Sequence, residues 1–218
     1  MDMNSDMITA GFKKSWDVFI ANAGAYLVAF VIVFIVSMFS ILLIPIILLA
    51  PLTYGFSYMA VKGLRGDKVE VGDLFIALKS VSLFIRSWMY LIIPFVIAIV
   101  IGILISILMI VLVQIEPALA FLFYMICWLI GMILMIILIP IFFYALYIYV
   151  MTPSKGVIYA YKESFALFKA NTMMTIITIV VVFFLGYIPI IGNILGMLFT
   201  VYVLKEIKPD LADNASFD

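Results

Sequence analysis

The sequence predicts an all-α protein that crosses a membrane several times. Hydrophobic residues make up 68% of the 218 residues and charged residues only 11%, against roughly 45–50% and 25% in soluble domains. Four long apolar runs contain no Lys, Arg, Asp or Glu. We therefore expect a polytopic membrane protein with six transmembrane helices, built as three repeats of an amphipathic interfacial helix followed by a transmembrane hairpin, with cytoplasmic N- and C-termini.

The lengths of the apolar runs set the number of spans in each. A bilayer core about 30 Å thick needs roughly 20 helical residues. The two middle runs, Trp88–Val113 and Leu119–Val150, therefore predict one span each. The first run, Ala23–Val61, is long enough for two spans, and Pro45 and Pro51 lie where the chain would turn.

The last run, Thr172–Leu204, also predicts a hairpin, made of two short spans of about 15 residues each. Its middle carries the turn-forming residues Gly186, Pro189, Gly192 and Asn193. Three hairpins leave only short links on the far side of the membrane, around Leu43–Pro45, Gln114–Pro117 and Ile188–Asn193.

The basic residues indicate that both terminal runs are hairpins. All twelve lie in four groups outside the runs, namely Lys13 and Lys14; Lys62, Arg65, Lys68, Lys79 and Arg86; Lys155, Lys162 and Lys169; Lys205 and Lys208. If either terminal run were a single span, its flanking groups would face opposite sides, against the positive-inside rule. With hairpins, all twelve share the cytoplasmic face of a cell (inner) membrane, and the other face carries only Glu116.

A similar segment precedes the first, third and fifth predicted spans. The segments are Gly11–Asn22, Ile76–Ser87 and Ala160–Asn171, and they share Ser15/Ser80/Ser164 and Phe19/Phe84/Phe168. The first and third also share Lys13/Lys162, Ala21/Ala170 and Asn22/Asn171. This agreement predicts an internal repeat within one membrane domain over residues 1–218. Repeat 1 covers residues 5–66, repeat 2 covers 73–152, repeat 3 covers 154–208, and 209–218 form a short polar tail.

Each repeated segment predicts an amphipathic helix in the headgroup region of the bilayer. In the first copy one stripe is apolar and the opposite side carries Lys13, Lys14 and Asp17. The stripe consists of Ile8, Phe12, Trp16, Phe19 and Ile20. We expect the second helix over Leu74–Arg86 with Asp73 as its N-cap, and the third to begin near Ser154.

The basic residues of these segments are candidate contacts with lipid headgroups or a protein partner. They are Lys13, Lys14, Lys62, Arg65, Lys68, Lys79, Arg86, Lys162 and Lys169. A second interpretation is that the helices are structural elbows which set the angle of each hairpin, because each carries only two or three cations and lipid-recruiting segments have about four to eight.

Glycines and tyrosines suggest how the helices pack. Gly192 and Gly196 form a GxxxG pattern, which predicts close helix packing within the bundle or at a homodimer seam. Gly63 and Gly66 predict the C-terminal cap of the second span. Six tyrosines near the inner ends of spans predict an interfacial aromatic belt. They are Tyr54, Tyr58, Tyr144, Tyr147, Tyr149 and Tyr202.

Composition excludes several chemistries. The chain has no histidine and one cysteine, Cys127, so neither a His-based metal site nor an intrachain disulfide is possible. We expect no cofactor, and the zero net charge gives no indication of a nucleic-acid partner. Asp67, Glu70 and Asp73 are the only local acidic group, in a loop that we expect to be solvated.

Two stretches resemble a known group of proteins. Pro51–Phe75 has the order P-L-x-x-G, apolar run, K-x-x-R-G-[DE], D-L-F, and Tyr159–Asn171 contains A-x-x-x-S-x-x-L-x-K-x-N. Both resemble uncharacterised prokaryotic integral membrane proteins, including the membrane domain fused to some glycerophosphoryl diester phosphodiesterases. The resemblance implies a six-helix membrane module, and it carries over no catalytic residue.

The first functional hypothesis is therefore a non-enzymatic scaffold, assembly or regulatory module that contacts membrane lipids, a protein partner or a second copy of itself. The alternative is a transporter or channel for a lipid-like or small neutral solute, because a lack of intramembrane charge argues against ion-coupled carriers but not against a passive path. A membrane-embedded enzyme ranks third, with Asp67, Glu70 and Asp73 as its only nominated acids.

Overall fold

The computed structural model describes residues 3–39 and 43–213, and within these ranges every regular element is a helix. The α-helices are α1 (Met3–Ala21), α2 (Ala23–Met38), α3 (Leu43–Arg65), α4 (Val81–Ile115), α5 (Pro117–Met151), α6 (Val157–Ala170), α7 (Thr172–Gly186), α8 (Ile191–Ile207) and α9 (Pro209–Asp213). Two 3₁₀ helices cover Val71–Leu78 and Pro153–Lys155.

Two of these helices are long and apolar enough to cross a membrane alone, α4 and the segment Ile47–Arg65 of α3. The number rises to four if each of two bent helix pairs, α1 with α2 and α6 with α7, counts as one span. The protein is thus all-helical with two to four candidate membrane spans. The six spans and the cytoplasmic termini stay predictions.

The helix ends lie close to the predicted links. The break between α2 and α3 falls after Met38 and before Leu43, and residues 40–42 lie outside the described part. Pro45 therefore lies in the first turn of α3, where a proline loses no helical hydrogen bond. Glu116 separates α4 from α5, which begins with Pro117, and residues 187–190 separate α7 from α8.

Two sharp bends occur where the sequence places an interfacial helix before a span. The bend between α1 and α2 is 88°, and that between α6 and α7 is 105°. Asn22 and Asn171 occupy the two corners with similar backbone angles, φ −128° and −133°. The Asn22 side chain donates to the Val18 carbonyl (3.1 Å) and accepts from the Val69 amide (3.0 Å), which ties the first corner to a distant loop.

The prediction of a second amphipathic helix over Leu74–Arg86 is wrong. The chain instead forms the 3₁₀ helix Val71–Leu78, and α4 begins only at Val81. Asp73 lies inside the 3₁₀ helix, where its carboxylate accepts hydrogen bonds from Lys62 and from the Glu70 amide. The contact with Lys62 joins this segment to α3 and replaces the local helical signal, because tertiary packing readily overrides helix propensity.

The chain divides into two compact units, Met1–Trp88 with Pro140–Asp218, and Met89–Ile139. In the first unit α8 is the most enclosed helix, since Gly192 and residues 194–204 apart from Tyr202 are buried. It packs against α1, α3 and α7.

The GxxxG pattern faces α7 of the same chain. A Cβ on Gly192 would overlap the Leu185 carbonyl oxygen, and one on Gly196 would lie 3.4 Å from Val182. The two glycines therefore allow α7 and α8 to approach closely, which agrees with packing inside the bundle rather than with a seam between copies.

The tyrosines predicted as an interfacial belt lie mostly in the protein interior. Tyr54, Tyr144, Tyr147 and Tyr149 are at most 4% exposed, and the rings of Tyr54 and Tyr149 meet edge to face at 5.8 Å. The belt prediction is therefore wrong for these four. Their large rings fill the space between helices, as aromatic side chains do in cores.

The second unit, Met89–Ile139, contains most of α4 and the first part of α5. No residue in the most apolar window of α4 is buried, and the exposed fractions of Phe95, Leu104 and Phe121 exceed 60%. A continuous apolar surface of this size is unfavourable in water and suits contact with lipid. The exposed apolar surface of this unit therefore supports a location in a membrane.

Candidate functional site

Lys62, one of the predicted contacts, forms an ion pair within the protein. It lies in the last turn of α3, and its Nζ is 2.9 and 2.8 Å from the two Asp73 carboxylate oxygens. Asp73 is only 9% exposed. Such an enclosed ion pair holds the 3₁₀ helix against α3, so Lys62 has little freedom to bind a ligand.

Backbone hydrogen bonds terminate α3 in the residues that follow Lys62. Gly66 has φ +93°, and its amide donates to the Gly63 carbonyl (3.0 Å) while the Asp67 amide donates to the Lys62 carbonyl (3.3 Å). This pair of bonds is a Schellman motif, in which glycine takes the left-handed position without strain. It confirms the predicted cap and directs Leu64 and Arg65 toward the end of α8, since Leu64, Arg65 and Lys205 line one small cavity.

Three further predicted cations lie apart from any cavity that is described. Lys68 forms an exposed ion pair with Glu70 at 3.4 Å, and such surface pairs contribute little stability. Lys79 is exposed directly after the 3₁₀ helix. Arg86 is exposed on α4, close enough to Tyr54 and Tyr149 for an electrostatic interaction.

Helix α6 has one buried and one mixed face. Its buried face includes Ser164, whose hydroxyl donates to the Ile141 carbonyl at 2.7 Å. The exposed face places lysines between apolar residues at helical spacing: Ile158, Lys162, Phe165 and Lys169. The Lys169 Nζ lies 4.6 Å above the Phe165 ring, a cation–π contact. This exposed face of α6 therefore presents apolar and cationic side chains next to each other.

Helix α1 has a comparable arrangement, but its predicted apolar stripe divides. Phe12, Trp16 and Ile20 are 37, 48 and 55% exposed, whereas Phe19 is buried and Ile8 packs on the core around Phe199. The prediction that the whole stripe faces the acyl chains was wrong for Phe19 and Ile8. The three exposed residues are spaced four positions apart, so they form a narrower apolar face along α1.

Lys13 and Lys14 line a recess of about 320 Å³ between α1, the end of α3 and the end of α8. The third cation of this recess is Lys205, which was not among the predicted contacts, and the carboxylates of Asp17 and Glu206 also line it. Within residues 3–39 and 43–213, none of these three lysines forms an ion pair within 4.0 Å.

Ala10, Leu64 and Tyr202 complete the wall of the recess. Leu64 is buried, and the Tyr202 hydroxyl interacts with the Glu206 carboxylate. A concave surface with a few convergent charges on an apolar wall is the usual form of a small-ligand site. We call this the α1–α8 recess, and it is the best candidate site in the described part of the chain.

Among the described residues no three His, Cys, Asp or Glu side chains lie close enough to hold a metal ion. Of the nominated acids, Asp73 is paired with Lys62 and accepts a hydrogen bond from the Glu70 amide, while the side chains of Asp67 and Glu70 are exposed.

No family model matches the chain, and no curated protein or solved structure shows significant similarity to it. The resemblance to the phosphodiesterase-fused membrane domains therefore stays a prediction.

Proposed function

We propose that this chain is a non-enzymatic, multi-pass membrane protein whose cytoplasmic face holds lipid headgroups, and that it acts as a scaffold or regulatory module in the cell membrane. One observation carries the proposal. Both α1 and α6 turn by about a right angle into the next helix and expose apolar side chains beside lysines.

This geometry fits helices that lie in the membrane plane. If α2 and α7 run along the bilayer normal, bends of 88° and 105° place α1 and α6 parallel to the surface. Phe12, Trp16 and Ile20 then enter the acyl region, and burial of apolar area favours this by about 25 cal/mol per Å². Neighbouring lysines extend their charged ends to the phosphates.

The same geometry supports the proposed repeat. Ser15 and Ser164 occupy equivalent positions in the aligned segments and are both fully buried, and Asn22 and Asn171 occupy equivalent corners. Three hairpins, of which the first and third follow such a helix, would give the six-span topology with both termini in the cytoplasm. The second copy would have lost its interfacial helix to the 3₁₀ segment Val71–Leu78.

The topology predicts where reporters are active. A periplasm-active reporter fused after Glu116 should be active, and one fused after Lys68 or Lys162 should be inactive, because the positive-inside rule keeps the basic segments in the cytoplasm. A cytoplasm-active reporter at the same positions serves as the control and should give the reverse pattern. Cytoplasmic activity at Glu116 would contradict the six-span topology.

The functional proposal predicts binding without transport. Purified protein in liposomes should bind anionic phospholipid in preference to phosphatidylcholine, and it should not raise the flux of glycerol or of labelled lipid between leaflets above that of protein-free liposomes. Flux assays on matched vesicles, together with native mass spectrometry of bound lipid, measure both properties. Protein-dependent flux with no lipid preference would instead favour the transporter hypothesis.

A further inference from the structure

We propose that the α1–α8 recess is a binding site for one phospholipid headgroup of the phosphoglycerol type, which carries a single net negative charge. This inference rests on the proposed function and adds the position and the headgroup class. The ligand is a membrane lipid rather than a soluble phosphate compound.

The charges of the recess favour such a headgroup. Lys13, Lys14 and Lys205 contribute three positive charges, and Asp17 and Glu206 two negative ones, so the recess has a net charge of +1. A phosphodiester with an uncharged substituent brings −1 and neutralises it. Phosphoethanolamine is zwitterionic and leaves the +1 uncompensated, and a phosphomonoester brings additional charge toward the two carboxylates.

The two carboxylates favour a hydrogen-bond donor in the group that is esterified to the lipid phosphate. An ionised carboxylate only accepts hydrogen bonds and offers about four acceptor sites. The Tyr202 hydroxyl interacts with Glu206, which leaves Asp17 and the remaining sites of Glu206 for other donors. The hydroxyls of a glycerol group are uncharged donors that fit this requirement, while the three ammonium groups hold the phosphate by charge-assisted hydrogen bonds.

The position of the recess favours a lipid over a soluble ligand. Leu64 lies at the C-terminal end of the candidate span Ile47–Arg65, where a headgroup would be expected. Lys13 precedes Trp16 by one turn of α1, and Trp16 belongs to the exposed apolar face that we place in the acyl region. The headgroup can thus occupy the recess while its acyl chains lie along the same helix. At about 320 Å³ the recess is within the lower range of small-ligand sites.

The test compares two triple variants that remove equal charge. Lys13→Gln/Lys14→Gln/Lys205→Gln alters the recess, and Lys68→Gln/Lys79→Gln/Lys155→Gln removes three cations that lie outside α1, α6 and the recess. Full-length protein in neutral detergent is titrated with phosphatidylglycerol, phosphatidylethanolamine or phosphatidate of identical acyl chains, and native mass spectrometry measures the first binding constant. Unchanged melting temperatures show that both variants stay folded.

We expect the recess variant to bind phosphatidylglycerol at least about tenfold more weakly, because it loses all three ammonium groups that hold the phosphate. The second variant should stay within about threefold of the unaltered protein, because its cations do not line the recess and a neutral micelle provides little general attraction. Equal losses, or no loss in the recess variant, would overturn the recess as a site and leave the proposed function standing. A failure of the unaltered protein to select any anionic lipid would remove the proposed function as well.

Two further measurements test the class of ligand. Soluble glycerophosphoglycerol, the deacylated form of the same headgroup, should not displace phosphatidylglycerol when both are present at similar concentration, and displacement would overturn the assignment to a lipid. Asp17→Asn/Glu206→Gln should reduce the preference for phosphatidylglycerol over phosphatidate several-fold. An unchanged preference would overturn the role of the carboxylates and the choice of glycerol.

Discussion

Replacing Gly55 by alanine should destabilise the protein strongly, although it replaces a helical glycine by the best helix former. A Cβ at Gly55 would overlap the Leu74 carbonyl oxygen and stand 2.5 Å from the Leu74 carbonyl carbon. Both are backbone atoms, so no side-chain rotation relieves the contact. Overpacking of this kind costs about 1–3 kcal/mol and sometimes more, against a gain in helix propensity of about 1 kcal/mol. Because both overlapping atoms belong to the backbone, we take the upper end of the overpacking cost, about 3 kcal/mol, which leaves a net loss of about 2 kcal/mol.

The loss should be measured as the free energy of unfolding in mixed micelles titrated with sodium dodecyl sulfate. Gly102→Ala is the matched control, because Gly102 is in the interior of α4 and a Cβ there would meet nothing within 4 Å. It should leave stability unchanged or raise it. If Gly55→Ala were as stable as the unaltered protein, the close packing of the 3₁₀ helix on α3 would be refuted.

The parts of the fold that the sequence predicts are those with a local signal. Asn22 and Asn171 mark the two sharp bends, and Glu116 and Pro117 mark the boundary between α4 and α5. A charge, a proline or a cap acts on the few residues beside it, so its effect can be read without knowing the rest of the structure.

The parts that the sequence did not predict depend on distant residues. The 3₁₀ helix Val71–Leu78 forms where Gly55 allows close approach and where Lys62 meets Asp73. In almost uniformly apolar helices the sequence also does not show which face meets protein and which meets lipid, because both environments are apolar. For this reason the sequence predicts Tyr144 and Tyr149 in an interfacial belt, whereas the structure buries both.

The candidate site illustrates the same limit. Lys13 and Lys14 were predicted as contacts because they lie on the polar side of an amphipathic helix. Lys205, near the end of the last long helix, joins them only because α8 packs against α1, where Gly11 lies beneath the Phe199 ring. Its assignment to the predicted cytoplasmic face was the one sequence signal that could have suggested it.

The second large effect is expected at the Lys62–Asp73 ion pair. The side chains are only 23 and 12% exposed, and Asp73 also accepts a 2.8 Å hydrogen bond from the Glu70 amide. Removing one partner leaves the other charge in a poorly solvated position, which costs about 3–5 kcal/mol for fully buried pairs. Because this pair keeps some contact with solvent, we expect about 2 kcal/mol for either Lys62→Met or Asp73→Asn.

A double-mutant cycle separates the pair from the packing of each side chain. Lys62→Met/Asp73→Asn leaves no unpaired charge, so its loss should be smaller than the sum of the two single losses by about 1–2 kcal/mol. Lys68→Met is the control, since Lys68 pairs with Glu70 at an exposed surface and should change stability little. Additive losses would show that Lys62 and Asp73 act independently, and the 3₁₀ helix would then be held mainly by the contact of Leu74 with Gly55.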